Sequence, residues 1–328
     1  MSCYFDSQNL RILLVKTSSL GDVLHNMPVA TDIMRHFPNA KIDWVVEESF
    51  VSLPRLHPAV RKVIPVAVRR WRNKLFKTDT WREIFALRNT IGSQHYDYAI
   101  DTQGLIKSAL LMRFSSGLRC GFDKNSAREP SSVNFYQRTF SVAKEQHAVE
   151  RNRQLAAQAL GYRAEGKPDY GICVPAISHT AWHAAKPYVV LLHATSRTDK
   201  LWSESNWIAL GCYLSTIGLA CILPWGSKVE HMRSIRISNS ISGAVIPPPL
   251  SLDEISSLLG GAEAVIGVDT GLAHLATALG VSTVGIYTAT DPTLTGLYAG
   301  KSAVNLGNIG QSPEVSDVID ALKRITAC

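Results

Sequence analysis

Short apolar runs alternate with stretches whose apolar residues recur every three or four positions, and this alternation is played twice along the chain. The pattern restricts the fold severely. A strand buried on both faces needs a continuous apolar run, and the crossover to a parallel neighbour needs a helix with one apolar stripe. Leu10–Lys16 reads as such a strand. Asp22–Phe37 follows as a helix, with Val23, Met27, Ala30, Ile33, Met34 and Phe37 at helical spacing and Pro38 as its stop. Lys41–Val46 and Tyr96–Asp101 read as further strands, and His147–Leu160 as a helix closed by Gly161. Between Gly161 and His183, glycine, proline and polar residues interrupt the periodicity, so a linker is expected there. The pattern then restarts. Tyr188–His193, Leu219–Pro224, Ala264–Val268 and Thr283–Tyr287 read as strands. Ser203–Thr216, Leu252–Gly260, Gly271–Leu279 and Val315–Ile325 read as helices. The predicted fold is α/β with two Rossmann-like domains, residues 1–165 and 166–328.

Composition excludes several classes. With 46% hydrophobic and 19% charged residues the chain is neither disordered nor membrane-embedded. No apolar run approaches the roughly 20 residues a bilayer span requires. The opening residues Met1–Asp6 lack a basic segment followed by an apolar one, so no export signal is expected. The six cysteines (Cys3, Cys120, Cys173, Cys212, Cys221, Cys328) are scattered, with no Cys-x-x-Cys pair and no histidine at ligand spacing. Free thiols in a reducing compartment, and no metal site, are the expectation.

The net charge of +7 is concentrated: Arg61, Lys62, Arg69, Arg70, Arg72, Lys74 and Lys77 follow one another with no acidic residue between them. Such a run suits an acidic partner, whether nucleic acid, anionic lipid or a charged substrate, or else is a solvated face. The absence of any nucleic-acid recognition motif argues against the first.

Four segments carry groups suited to chemistry. Lys16–Val23 follows the first strand; its Gly21 permits a tight turn, and Asp22 is either a helix cap or a carboxylate presented to a ligand. It is not Gly-x-Gly-x-x-Gly, so dinucleotide binding by that turn is disfavoured. His193–Trp202 places Thr195, Ser196 and Lys200 on a loop after a strand, where hydroxyls and a cation suit a diphosphate, although an ordinary turn reads the same way. Val268–His274 turns a buried strand into a helix through Asp269, Thr270 and Gly271, and the free N–H groups of such a start bind phosphate. His274 lies one turn along, as a ligand group or as a structural histidine. Beyond Pro224-Trp225-Gly226, Glu230 could accept both hydroxyls of a ribose.

Taken together, the stretch from Ile12 to Val23 with Pro28, His-Ala-Thr-Ser-Arg-x-Asp-Lys-x-Trp, Pro-Trp-Gly and Val-Asp-Thr-Gly-Leu-Ala-His resemble the lipopolysaccharide heptosyltransferases of glycosyltransferase family 9. Asp43–Glu48, Val63–Arg72, Ala127–Pro130 and Gln146–Arg151 resemble those members that add the first heptose. The resemblance implies the GT-B fold, two Rossmann-like domains facing a central cleft, with the acceptor on the first and the donor on the second. It implies ADP-heptose as donor and the Kdo-lipid A inner core as acceptor. Asp22 falls on the family's catalytic aspartate. Thr195, Ser196, Lys200, Glu230, Asp269, Thr270, Gly271 and His274 fall on its donor-site motifs, and Leu250 on an adenine-contacting position. The expected reaction is an inverting displacement with Asp22 as general base and no cofactor. The basic run (Arg69, Arg70, Arg72) with Arg128 would grip the acceptor, and attraction to an anionic surface would hold the enzyme at the cytoplasmic face of the inner membrane. Alternatives are the family members that add the second heptose, another GT-B enzyme, or a sugar-nucleotide epimerase or binding module on the same fold.

Overall fold

The structure, a computed structural model, describes residues 9–173, 187–298 and 300–326. The N-terminal residues Met1–Asp6, Cys3, Cys328 and the part of the expected linker beyond residue 173 lie outside the described residues. The chain divides into two compact units, Met1–Ile172 and Cys173–Cys328.

The first unit is built on six strands: β1 (Arg11–Val15), β2 (Lys41–Glu47), β3 (Val60–Val66), β4 (Tyr98–Asp101), β5 (Leu118–Phe122) and β6 (Arg138–Phe140). All pair in parallel in the order β3-β2-β1-β4-β5-β6. β1 lies inside the sheet with helices on its faces, so Ile12, Leu13, Leu14 and Val15 are all fully buried. The strand order reverses direction between β1 and β4.

The helix expected over Asp22–Phe37 is two helices, Leu20–Leu24 and Met27–His36. Pro28 has no N–H to offer the preceding turn and sits in the first turn of the second helix, where that N–H would be unused anyway. The apolar spacing runs across the break because Val23, Met27, Ala30 and Ile33 are all buried on either side of it. The helix Ala148–Leu160 does end at Gly161, which takes the left-handed conformation at φ 78°.

Beyond Gly161 the chain stays with the first unit. The guanidinium of Arg153, 1% exposed, donates to Asp32 Oδ2 (2.7 Å), the Glu165 carbonyl (3.0 Å) and the Gly166 carbonyl (3.1 Å). Arg35 pairs with Asp169 at 2.6 Å. These bonds carry the segment through Ile172 into the first unit, past the boundary expected at residue 165.

The second unit has five parallel strands, β7 (Tyr188–Leu192), β8 (Ala220–Ile222), β9 (Ala264–Val268), β10 (Thr283–Tyr287) and β11 (Ala303–Gly307), ordered β11-β10-β9-β7-β8. Its strand order reverses between β7 and β9. Trp202 and Trp207 are buried in its core, packed edge-to-face at 5.1 Å. Serines cap three of its helices: Ser203 before Glu204–Thr216, Ser227 before Lys228–Ser238 and Ser251 before Leu252–Gly260. Each such cap is worth about 1 kcal/mol against alanine.

Candidate functional site

In open parallel sheets ligands sit beyond the carboxyl ends of the strands, where the strand order reverses. In the first unit those are the loops after β1 and β4, and one braces the other. Gln103 Oε1 accepts the backbone N–H groups of Thr17 (3.0 Å) and Ser18 (3.2 Å). Gln103 is held by Asp101, whose Oδ1 accepts its N–H at 2.8 Å, while Oδ2 accepts Ser108 Oγ (2.7 Å) and Tyr136 OH (2.8 Å). Tyr136 reaches Asp101 across Gly121, where a Cβ would lie 2.3 Å from the ring.

The braced loop opens the helix Leu20–Leu24 and presents Asp22. Its Oδ2 accepts the Ser19 N–H (3.0 Å) and hydroxyl (3.2 Å), and its Oδ1 accepts Arg128 Nη2 at 2.7 Å. Asp22 therefore takes part in the capping box of this helix and is paired with a cation at the same time. Beneath them Lys16, 3% exposed, donates to the Thr102 carbonyl at 2.8 Å. Burial alone would raise the Asp22 carboxyl, but the Lys16 and Arg128 cations and the Ser19 N–H together hold it well below the usual carboxylate range. Burial pushes the Lys16 ammonium down to about 8, against the pull of Asp22. At neutral pH Asp22 is therefore a carboxylate.

The side chains of the basic run have different surroundings. Arg61 pairs through two bonds, at 2.9 and 2.6 Å, with Asp43, a fully buried carboxylate that also accepts Tyr96 OH at 2.7 Å. Arg70, expected among the acceptor-binding arginines, bridges Glu48 (3.1 Å) and Glu83 (2.9 Å), so two carboxylates answer its charge. Both partners lie outside the run, which is why its charge count misleads. Arg69 lays its guanidinium over the Phe50 ring at 5.5 Å. Arg72 is exposed and makes no ion pair among the described residues.

In the second unit the corresponding loops follow β7 and β9, and they meet at Asp269. Lys200 Nζ (2.6 Å) and Thr290 Oγ1 (2.7 Å) both donate to Asp269 Oδ2, and Thr195 Oγ1 donates to its carbonyl at 3.0 Å. Thr290 carries no signal in the sequence; it comes from the loop after β10, with no motif around it. Thr270 precedes the helix Gly271–Ala278 without a side-chain cap, and of the N–H groups of that first turn Ala273 donates to the Thr270 carbonyl at 3.1 Å. His274 is buried on that helix, and Ser196 is exposed on the loop after β7. Glu230 also shapes its own turn, since its Oε2 accepts the Gly226 (2.7 Å) and Ser227 (3.1 Å) N–H groups in the capping box of Lys228–Ser238. Trp225 Nε1 donates to the Pro247 carbonyl at 2.9 Å, which sets the Pro-Trp-Gly turn against the loop that leads to half-buried Leu250.

Among the described residues no group of three or more His, Cys, Asp or Glu side chains is placed to hold a metal ion. Nor is any described helix long and apolar enough to cross a membrane.

The family model of glycosyltransferase family 9 (heptosyltransferase) matches residues 84–323. Lipopolysaccharide heptosyltransferase 1 of Salmonella typhimurium is 44% identical over 291 residues, spanning 88% of this chain and 92% of that protein. The solved structure of E. coli heptosyltransferase WaaC with ADP is 40% identical and superposes with a TM-score of 0.89, over 96% of this chain and 99% of that one. E. coli ADP-heptose lps heptosyltransferase II, at 20% identity and a TM-score of 0.76 over 97% of this chain and 99% of its own, shares the fold. With two parallel-sheet Rossmann-like units and these likenesses, the chain is a GT-B glycosyltransferase and belongs to glycosyltransferase family 9, the heptosyltransferases.

Proposed function

We propose that the protein transfers L-glycero-D-manno-heptose from ADP-heptose to Kdo of the lipid A inner core, the first heptose addition of lipopolysaccharide core assembly. Two things support this reading over second-heptose transfer: identity to heptosyltransferase 1 over most of the chain, against fold-level likeness to heptosyltransferase II. The observation that carries the chemistry is Asp22, a carboxylate kept ionised at a strand-order reversal and paired with an arginine that an anionic acceptor would compete for.

In this reading the acceptor carboxylates draw Arg128 off Asp22. Losing that cation raises the basicity of Asp22, so the base is switched on by the substrate it must deprotonate. Asp22 takes the proton of a Kdo hydroxyl; that oxygen bonds to the anomeric carbon of the heptose as the bond to the ADP phosphate breaks, with inversion. Lys200 uses one of its three donors on Asp269 and has two left for the departing diphosphate, beside the N–H groups at the start of Gly271–Ala278. Asp269 Oδ1, not engaged by Lys200 or Thr290, accepts a heptose hydroxyl. Glu230 turns its Oε1 to the ribose while Oε2 stays in the cap, and Leu250 lies against the adenine. Arg69, Arg72 and Arg128 hold the acceptor's carboxylates and phosphates. ADP-heptose enters as substrate, with no resident cofactor or metal, and the protein works against the anionic cytoplasmic face of the membrane that carries its acceptor.

The test is mass spectrometry of the product from ADP-heptose and Kdo₂-lipid A, with and without a heptose already attached. A single heptose added only to the heptose-free acceptor is expected. Transfer only to the acceptor that already carries one would assign the protein to the second step, and conversion of free ADP-heptose without acceptor would make it an epimerase.

A further inference from the structure

Three aromatic side chains stand out in water on one short segment. Phe76 is 105% exposed, Trp81 50% and Phe85 55%, and Leu75 beside them is 49% exposed. Isolated exposed apolar residues are ordinary on protein surfaces. Here every strongly exposed aromatic ring among the large apolar side chains of the described residues falls between positions 76 and 85. That concentration marks an interaction surface.

The segment is held in shape. Trp71, buried in the core of the first unit, donates its Nε1 to Glu83 at 2.6 Å. The turn that follows is closed by Trp81 Nε1 on the Leu75 carbonyl (2.8 Å) and Thr80 Oγ1 on the Lys74 carbonyl (2.9 Å). Trp81 thus has its polar atom satisfied within the fold, which leaves its ring for an apolar environment. Phe85 lies one turn further along the same side of the helix Thr78–Gly92.

The surroundings are cationic. Residues 69–88 hold seven basic side chains and two acidic ones. Both acids are answered locally, Glu83 by Arg70 and Asp79 by Arg82. Arg72, Lys74, Lys77 and Arg88 are exposed and make no ion pair among the described residues. The segment also follows β3, two places from β1 in a sheet of parallel strands, so it leaves the same carboxyl edge from which Asp22 projects, on the order of 10 Å along that edge.

We propose that Leu75, Phe76, Trp81 and Phe85 form a wedge that enters the headgroup–acyl boundary of an anionic bilayer, seated by the cationic collar of Arg72, Lys74, Lys77 and Arg88. An apolar tip inside a basic ring complements such a surface in both chemistry and charge. The inference deepens the reading that the acceptor is a membrane lipid and rests on it for its purpose. The wedge sets the carboxyl edge of the first unit at headgroup level, where the sugar of that lipid lies.

Co-sedimentation with vesicles that contain no acceptor tests it. The vesicles are phosphatidylcholine alone, or phosphatidylcholine with about one-third phosphatidylglycerol. The wild-type chain should partition onto the anionic vesicles at least about tenfold better than onto the neutral ones. The double variant Leu75→Ser/Phe76→Ser should lose about tenfold or more of that partition. Phe76→Trp should keep it, and Lys74→Gln/Lys77→Gln should lose most of it at low salt. With a de-acylated, water-soluble acceptor the serine variant should turn over within about twofold of wild type, while with lipid A in vesicles it should fall in step with partition. Undiminished partition of the serine variant would overturn the proposal. So would a wild-type chain that ignores anionic vesicles, which would leave the patch to a protein partner. Because the vesicles carry no acceptor, partition is read independently of transfer. Correct partition with no transfer to the de-acylated acceptor would sink the functional reading and leave the wedge standing.

Discussion

Each unit places an aspartate beyond a strand at its order reversal and pairs it with a cation, yet the two carboxylates are left in different states. Asp22 is closed. Ser19 and Arg128 occupy both of its oxygens, and a buried lysine lies beneath it. Asp269 is half open, because Lys200 and Thr290 converge on Oδ2 alone. A closed carboxylate acts only after a partner leaves, which suits a base to be released by an acceptor. A half-open one can take a hydroxyl at once while its cation stays in place for a phosphate. In the proposed reaction an aspartate–cation pair would thus serve proton transfer in one unit and substrate binding in the other.

The largest effect expected from this contrast is at Asp22. Asp22→Asn should lower turnover by about 10²–10⁴, the usual contribution of a general base, and leave ADP affinity unchanged. Steady-state kinetics with ADP calorimetry decide it; turnover within about threefold of wild type would leave Asp22 a helix cap.

Lys200→Ala should weaken ADP binding roughly tenfold to a hundredfold, as expected for loss of a charge-assisted hydrogen bond of about 1.5–3 kcal/mol. Acceptor KM should not move. Unaltered ADP affinity by calorimetry would mean that Lys200 serves only to hold Asp269.

Lys16→Met sharpens the comparison, because the second unit has no equivalent buried cation in its aspartate cluster among the described residues. Removing this charge lets the Asp22 carboxyl rise, so the acid limb of kcat/KM should move to higher pH. Stability should respond in the opposite pH range. The folded chain sheds the Lys16 proton near 8 and the unfolded chain only near 10.5, so the unfolded state binds more protons between them and stability rises with pH across that window. In Lys16→Met that contribution is gone, and melting temperatures at the two ends of the window should show a smaller rise. An unshifted acid limb would uncouple Lys16 from Asp22.

The smallest effects separate arginines that the sequence groups together. Arg72→Ala should raise acceptor KM a few-fold at low salt and less at high salt, since exposed charges are screened over about 8 Å at physiological ionic strength. Arg70→Ala should leave acceptor KM unchanged and slightly lower the melting temperature, because its charge is already answered by Glu48 and Glu83. Equal KM effects from both substitutions would restore the run to a single acceptor-binding block.

Much of the scaffold is legible from near neighbours. The apolar run at Leu10–Lys16 becomes β1, Ser203 and Ser251 cap the helices that follow them, and Gly161 ends its helix in the left-handed conformation only glycine adopts freely. Each is decided by period and capping within a few residues, so the sequence by itself determined it. β3 escaped because Arg61 and Lys62 break its apolar run; one caps a buried carboxylate on β2, the other faces water. The helix Thr78–Gly92 escaped because its outward face carries Trp81 and Phe85, which blurs the stripe that identifies a buried face.

The motif loops, too, could be named from the sequence, but not what they bind within the fold. Arg128 comes to Asp22 from 106 residues away, Gln103 reaches the Thr17–Ser18 backbone from 86 and 85, and Thr290 reaches Asp269 from another strand's loop. The sequence determined which loops carry carboxylates, hydroxyls and cations, because a strand's end and a helix's start are local events. Only the tertiary structure decided which carboxylate each cation answers, because that depends on strand order, and strand order is a balance of contacts between residues far apart in the chain.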